Sequence, residues 1–184
     1  VEKYNVNVFS TNFVLYGDLS KRVMNTFRTE VNKMEVYSID EAFLDFSDLA
    51  DKERAIQIKK KVQMWTGIPV SIGIAKTKTL AKVANHIAKK YTKAGVFMFD
   101  DEDLIRRALN VFPVEDLWGI GKKHAKRLKE VGICTALQFR ETDKAWIKRN
   151  LSISGVKLQK ELHDCMQAVI IFGKVMGLSF INLI

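Results

Sequence analysis

The sequence of 184 residues predicts an α+β fold whose second part is wholly helical. Before residue 100, short runs rich in Val, Ile, Tyr and Phe alternate with stretches of helical periodicity. From Asp100 onward the pattern is helical throughout, with short breaks at Gly and Pro, so we predict a domain boundary near residue 100. The hydrophobic content of 47% suffices for one core plus a small satellite domain.

The strands are predicted from β-branched and aromatic residues and the helices from apolar residues spaced by three or four. In chain order the predicted elements are a short strand over 6–9, a helix over about 20–32, strands over 35–39 and 42–46, a helix over 52–66, a strand over 70–74, a helix from the N-cap Thr77 to about Tyr91 and a closing strand over 96–99. The two strands on either side of Asp40 and Glu41 have the spacing of a hairpin.

Charge and composition narrow the kind of partner. Lys and Arg total 30 against 21 Asp and Glu, and a net charge of +9 favours a polyanion such as nucleic acid. Charge alone leaves DNA, RNA and an anionic membrane open. The two cysteines lack a metal-ligand spacing, and no secretory signal opens the chain, so we expect a cytoplasmic location. Lys174 and Asn182 interrupt the apolar run over 168–184, so we expect no membrane anchor.

Asp40 and Glu41 are adjacent carboxylates that follow an apolar strand. If they are partly buried, their mutual repulsion requires protonation, a cationic partner or a metal. Mg²⁺ is the best match, because this hard cation takes one or two carboxylates together with substrate phosphates. Successive side chains of a regular strand point to opposite faces, so both carboxylates reach one metal only if the backbone bends between the strands. An exposed acidic turn is the alternative.

The helix over 77–91 carries lysines in a sequence without acidic residues between Lys76 and Ala94. Lys78, Lys82 and Lys89 fall within roughly 40° of one another, opposite the apolar side. A helix start with lysines offers a positive dipole and ammonium donors to a phosphate, although the Walker A spacing is absent. The alternative is the solvated side of an amphipathic helix.

A Gly-Ile-Gly turn precedes a basic helix and is typical of a helix-hairpin-helix that holds the DNA backbone. Its exposed N–H groups and the following helix N-terminus form a nest for a phosphate oxygen. An ordinary helical turn with Gly at a cap is the alternative. The predicted DNA-binding residues are Trp118, Gly119, Ile120, Gly121, Lys122, Lys123 and Lys126.

Three segments, in this order, resemble the Y-family translesion DNA polymerases. They are YSIDEAFLD at residues 37–45, GIAKTKTLAK at residues 73–82 and DLWGIGK at residues 116–122. The resemblance covers about residues 4–165. It implies that residues 1–99 are the second half of a polymerase palm, a mostly antiparallel sheet with helices on one face. Residues 100–165 would then be a small helical thumb with the helix-hairpin-helix, and residues 166–184 an unassigned apolar tail.

The resemblance also implies the chemistry. Asp40 and Glu41 would be two of three metal-binding carboxylates, with Glu41 beside the attacking primer hydroxyl. Lys89 and Lys82 would contact the triphosphate of the incoming nucleotide. Both belong to the lysine stripe, which is the side of the helix formed by Lys78, Lys82 and Lys89. Two Mg²⁺ ions would serve in-line phosphoryl transfer during error-prone translesion synthesis, a DNA repair activity of the SOS response.

The implied partners are damaged primer-template DNA, a deoxynucleoside triphosphate, a UmuD-like accessory subunit and a recombinase filament. The strand with the third carboxylate and the fingers are expected before Val1, so we expect an incomplete active site in this chain. Two alternatives remain open at this point. One is a non-enzymatic helix-hairpin-helix DNA-binding module, and the other is an inert remnant that only contacts a protein partner.

Overall fold

In the computed structural model of the protein, the structure describes residues 10–45 and 51–163, and the backbone of residues 170–173. The predicted strand over 6–9 lies outside these ranges. Before residue 100 the described elements are α1 (Phe13–Arg28), β1 (Met34–Val36), β2 (Ala42–Asp45), α2 (Lys52–Thr66), β3 (Ile72–Ala75), α3 (Lys78–Tyr91) and β4 (Val96–Met98). After it come α4 (Glu102–Val111), a 3-10 turn (Val114–Asp116), α5 (Lys122–Glu130), α6 (Ala136–Glu141), α7 (Lys144–His163) and β5 (Ile170–Gly173).

The five strands form one sheet in the order β1-β2-β5-β3-β4. β1 and β2 pair as an antiparallel hairpin, β5 is antiparallel to both β2 and β3, and β3 and β4 are parallel. The prediction of a mostly antiparallel sheet is therefore confirmed. The strand β5 belongs to the apolar tail that the sequence left unassigned, and it fills the space between β2 and β3 in the middle of the sheet.

Helices cover both faces of the sheet, which corrects the expectation that they lie on one face. On one face, Ala42 and Leu44 of β2 pack with residues of α1 and α2, including Phe27 and Ile58. On the other face, Phe43 joins a core with α3 and the helical part after residue 100. The physical reason is that all four residues of β3 are buried, and a strand buried on both sides needs cover on both faces.

The helix α3 lies unusually close to β3. A Cβ atom added at Gly73 would be 2.1 Å from the backbone nitrogen of Asn85 and 2.5 Å from the carbonyl oxygen of Ala81. Only glycine permits this approach. The helix begins as predicted, because the hydroxyl of Thr77 accepts a hydrogen bond from Leu80 N at 3.2 Å. Gly73 and Thr77 together fix where the lysines of α3 lie relative to the sheet.

The helical part after residue 100 is held by its own caps and by a shared core. Asp101 caps α4 through Leu104 N, and Thr135 and Gln138 form a capping box at α6. The long helix α7 contains one non-helical residue, Ser152, with φ of 65°. The core on this side is continuous with the one under α3, and α7 packs against α3, so the helical part lies on the α3 side of the sheet.

Candidate active site

Asp40 and Glu41 lie in the bent turn between β1 and β2. The N–H groups of Tyr37 and Ser38 both donate to the carbonyl oxygen of Glu41, at 2.9 and 3.0 Å, which closes the turn. The Ser38 hydroxyl donates to Oδ1 of Asp40 at 2.7 Å. The turn therefore supplies the backbone bend that two successive carboxylates need if they are to serve one cation.

Glu41 is not an exposed surface acid. Its side chain is 16% exposed, and its Oε2 lies 2.9 Å from Nζ of Lys82, whose side chain is 17% exposed. We call β1, β2 and the turn with Asp40 and Glu41 the carboxylate hairpin. The ion pair joins this hairpin to α3. Since a charge largely removed from water needs a partner, Lys82 provides the neutralisation that a carboxylate in this position requires.

Three rings, Tyr37, Phe43 and Trp118, form an aromatic cluster beside this ion pair. The Tyr37 and Trp118 rings meet edge to face at 5.4 Å, and Phe43 lies 5.8 Å from Tyr37 and 5.7 Å from Trp118. The indole N–H of Trp118 donates to the Tyr37 hydroxyl at 3.1 Å. Nζ of Lys82 lies 5.4 Å from the centre of the Tyr37 ring and 5.8 Å from that of Trp118, within cation–π range.

A cavity of about 410 Å³ opens next to Glu41 and Lys82. The lining residues beyond Glu41 and Lys82 are Val83, Asn85, His86, Lys89, Lys90, Phe112, Asp116 and Trp118. The structure thus brings Lys89, Lys82 and Glu41, three of the residues predicted from the sequence, to one cavity. Burial lowers the pKa of His86 below its usual value, and the charge of Lys90 acts in the same direction. The positive charge of the cavity therefore comes from its lysines.

The Gly-Ile-Gly turn and α5 line a second cavity, of about 770 Å³. Gly119 has φ of 93°, which favours glycine, and the turn leads into α5. Lys122, Lys123 and Lys126 are exposed, whereas Ile120 is buried in the core. The element before the turn is a single 3-10 turn, and Lys129 of α5 is paired with Glu115 within it.

The first turn of α3 corrects one interpretation made from the sequence. Glu161 of α7 accepts hydrogen bonds from the N–H of Thr79 at 3.0 Å and from its hydroxyl at 2.8 Å. The Thr77 hydroxyl donates to the carbonyl oxygen of Glu161 at 2.8 Å. A carboxylate of the chain itself thus occupies the helix N-terminus, so that end is not a phosphate site. Lys78, in the same turn, is paired with Glu35.

The sequence did not identify Tyr37 as a contact of Trp118, nor His86 and Asp116 as residues that line the cavity. Tyr37 belongs to the quoted segment 37–45, but nothing in its spacing indicates a contact with Trp118, 81 residues further along the chain. Trp118 was predicted to bind DNA, and the structure places it half-buried against Tyr37 and Phe43.

The comparison with known families gives the class of protein. Residues 2–86 match the profile of the impB/mucB/samB family. This segment contains both the carboxylate hairpin and most of α3, with Glu41 and Lys82. Residues 2–86 thus belong to this family, and the chain resembles Y-family DNA polymerases over most of its length.

Among individual proteins, the chain is similar to the protein UmuC of Salmonella typhimurium, with 42% identity over 84% of this chain and 38% of that protein. It is 31% identical to the protein MucB of Escherichia coli over 89% of this chain and 40% of that protein. It is also 37% identical to DNA polymerase IV of Saccharolobus solfataricus, over 65% of this chain and 34% of that protein. The chain spans about one third to two fifths of the length of these relatives.

Solved structures support the fold. DinB from Sulfolobus solfataricus superposes with a TM-score of 0.67 at 27% identity, over 83% of this chain and 45% of that chain. The insertion ternary complex of Dbh DNA polymerase gives a TM-score of 0.68 at 28% identity, with the same two coverages. The palm-like α+β architecture predicted from the sequence is thereby confirmed.

The carboxylates present fit part of a divalent-metal site. Use of a divalent metal follows from the polymerase family. Asp40 and Glu41 are hard oxygen donors in one bent turn, as such a cation prefers. Within residues 10–45, 51–163 and 170–173, no group of three or more His, Cys, Asp or Glu residues could hold a metal ion.

In the same ranges, no helix is long and apolar enough to cross a membrane.

Proposed function

We propose that this chain supplies the metal-binding and DNA-holding part of a translesion DNA polymerase, which transfers a nucleotide to a primer opposite damaged template DNA. The observation that carries the proposal is the meeting of Glu41, Lys82 and Lys89 at one cavity beside the carboxylate hairpin. The family of the chain and its similarity to UmuC and DNA polymerase IV support the reaction class. By the same similarity, we propose a cytoplasmic location.

Each group has a role in the proposed reaction. Asp40 and Glu41 would hold Mg²⁺, two ions in the complete enzyme, with a third carboxylate from elsewhere. The bound metal ions supply charge neutralisation for the attacking and leaving oxygens. Lys89, and Lys82 beside it, would face the triphosphate of the incoming nucleotide, and Glu41 would lie next to the primer hydroxyl. The neutral ring of His86 packs edge-on to Phe112 at 5.0 Å and shapes the wall of this cavity.

We further propose that the residues from Trp118 to Lys126 act as a helix-hairpin-helix on the DNA backbone. The exposed lysines of α5 and the N–H groups of the turn would contact phosphates, which positions DNA without reading its sequence. The buried Ile120 would anchor the turn, and Trp118 would link the turn to the carboxylate hairpin through Tyr37. A palm over residues 1–99 and a thumb over 100–165 remain the proposed division of the chain.

Primer-template binding tests the DNA-holding part. We expect the 184-residue chain to bind a fluorescein-labelled primer-template with an affinity that falls as salt rises, with a log-log slope of about 0.9 per neutralised phosphate. Lys122→Ala and Lys126→Ala should each lower the slope by about 1, whereas Lys60→Ala, exposed on the opposite face of the sheet, should leave it unchanged. A flat salt response would contradict the assignment.

Primer extension tests the catalytic part. We expect no extension by the 184-residue chain alone, because its described residues include no group of three or more side chains that could hold a metal ion. In a longer chain that also contains the third carboxylate, Asp40→Ala and Glu41→Ala should abolish synthesis and spare DNA binding. Unchanged synthesis in these variants would refute the catalytic role of the two carboxylates. DNA binding without synthesis by the unsubstituted longer chain would favour the non-enzymatic DNA-binding module instead. A UmuD-like subunit and a recombinase filament are proposed as partners of such a complete enzyme by similarity to UmuC.

A further inference from the structure

Lys82 has two possible partners at the site. Its ammonium group lies 2.9 Å from Glu41, which is one of the two carboxylates proposed to hold a divalent cation. It also lines the 410 Å³ cavity together with Lys89 and Lys90, where the proposed nucleotide phosphates would lie. A single ammonium cannot neutralise Glu41 fully and serve a phosphate equally well, so the two roles compete.

A divalent cation also competes with Lys82 for the same carboxylate oxygens. Asp40 accepts a hydrogen bond from Ser38, whereas Glu41 already forms an ion pair with Lys82. Two positive charges on one carboxylate repel each other strongly where both side chains are mostly out of water. Cation binding therefore favours the departure of the ammonium group.

The surroundings of Lys82 permit such a movement. Its flexible four-carbon stem lets the ammonium turn between neighbours. The faces of Tyr37 and Trp118 lie within 6 Å of Nζ and offer cation–π contacts that do not depend on Glu41. The only other acid that lines the cavity in the described part of the chain is Asp116, which is exposed.

We propose that Lys82 is an exchangeable counter-ion of Glu41. In the absence of a divalent cation it neutralises Glu41, and when Asp40 and Glu41 bind a cation, its ammonium turns towards the phosphates of a nucleotide in the cavity. The inference rests on the proposed function and deepens it, because it couples cation binding to nucleotide binding. By thermodynamic reciprocity, the nucleotide then strengthens cation binding by the same factor.

The first test measures cation affinity at the hairpin without nucleotide or DNA. Tb³⁺ is the probe, because its luminescence is excited through nearby rings such as Tyr37 and Trp118. We expect Lys82→Met to tighten Tb³⁺ binding about tenfold, since the competing charge is gone. Lys78→Met is the matched control, because it removes the same charge from the same helix but from a lysine paired with Glu35. It should change the affinity by less than about twofold.

Three results would overturn the inference in this test: an unchanged affinity in Lys82→Met, an equal gain in Lys78→Met, or no hairpin-dependent luminescence in any variant. Glu41→Gln should abolish the signal, which ties the luminescence to the hairpin. Circular dichroism and denaturant unfolding verify that each variant is folded. Lys82→Gln, which retains a polar end, is the second variant if the methionine variant unfolds, and it should tighten Tb³⁺ binding in the same direction.

The second test measures binding of a fluorescent deoxyadenosine triphosphate analogue. With EDTA present, Lys89→Met should weaken binding, whereas Lys82→Met should not, because Lys82 is engaged with Glu41. With saturating Ca²⁺, both variants should weaken it, by about tenfold for Lys82→Met. Equal weakening by Lys82→Met in both conditions would make Lys82 a permanent phosphate ligand and overturn the exchange. Failure of primer-template binding would instead contradict the proposed function and leave the Tb³⁺ result unaffected.

Discussion

Gly73→Ala tests whether the close contact of β3 with α3 positions the site. The added Cβ would lie 2.1, 2.5 and 2.6 Å from three backbone atoms of Ala81 and Asn85, where ordinary contacts begin at 3.4 Å. The shortest contact is thus about 1.3 Å too close, and no flexible side chain is available to yield. The helix itself must move away from the sheet by about 1 Å.

The structure also gives the size of the effect. Overpacking typically costs about 1–3 kcal/mol, and a clash with backbone belongs at the upper end, so we expect a loss of about 3 kcal/mol. For a protein of this size that corresponds to a fall in Tm of about 6–12 °C. Because α3 carries Lys82 and Lys89, its displacement should also weaken Tb³⁺ and nucleotide binding in the protein that remains folded.

Urea unfolding followed by circular dichroism measures the loss of stability. Gly17→Ala is the matched control, because Gly17 lies within α1 and an added Cβ there meets no atom within 4 Å. Alanine should stabilise that helix by about 0.5–1 kcal/mol. If Gly73→Ala cost less than about 1 kcal/mol, the close approach of α3 and β3 would be refuted as a determinant of the site.

Three further predictions follow from the packing. Glu30 is 6% exposed between Arg54 and Lys61; burial opposes its ionisation, but the Lys61 hydrogen bond and both positive charges hold its pKa below the usual 4.5. The ionised Glu30 therefore adds to the free energy of unfolding above the pKa of the unfolded chain, and this stabilisation is lost as the pH falls through the lower pKa of the folded protein. Glu30→Gln should accordingly cost about 1–2 kcal/mol in urea unfolding at pH 7 and progressively less in acid. Thr135→Ala removes the hydroxyl of the capping box at α6 and should cost about 1 kcal/mol in the same assay, while Thr135→Ser should restore most of it. Tyr37→Phe and Trp118→Phe each remove the hydrogen bond between these two side chains. The double variant should therefore lose no more stability than the more destabilised single variant. Fully additive losses would show that this hydrogen bond does not couple the two residues.

Much of the fold follows from local patterns in the sequence. The apolar spacing of Ala55, Ile58 and Val62 predicted α2 with its observed bounds, and Thr77 was correctly predicted as the N-cap of α3. The first helix begins earlier than predicted, at Phe13, because Asn12 caps it through Leu15 N. Phe13 and Val14 are exposed, so their apolar character added nothing to the periodic pattern of the buried face.

The site is less accessible to sequence reasoning than the fold. The lysine stripe was predicted correctly as one side of α3, but its members have different partners: Lys78 pairs with Glu35, and Lys82 with Glu41. These partners lie 43 and 41 residues away and are selected by the packing of the hairpin on α3. In the same way, the cap that Glu161 provides to α3 depends on how α7 packs against α3, which no local pattern records.

The position of β5 has a consequence for how the chain folds during synthesis. Phe43 of β2 pairs with Phe172, and Gly73 of β3 pairs with the same residue, so the middle of the sheet joins segments about 100 to 130 residues apart. At a synthesis rate of about 5–20 residues per second, the edges of β2 and β3 that pair with β5 remain unpaired for at least several seconds. Until then each presents unpaired N–H and C=O groups that another strand could bind. Co-expression with a chaperone should therefore raise the yield of folded protein.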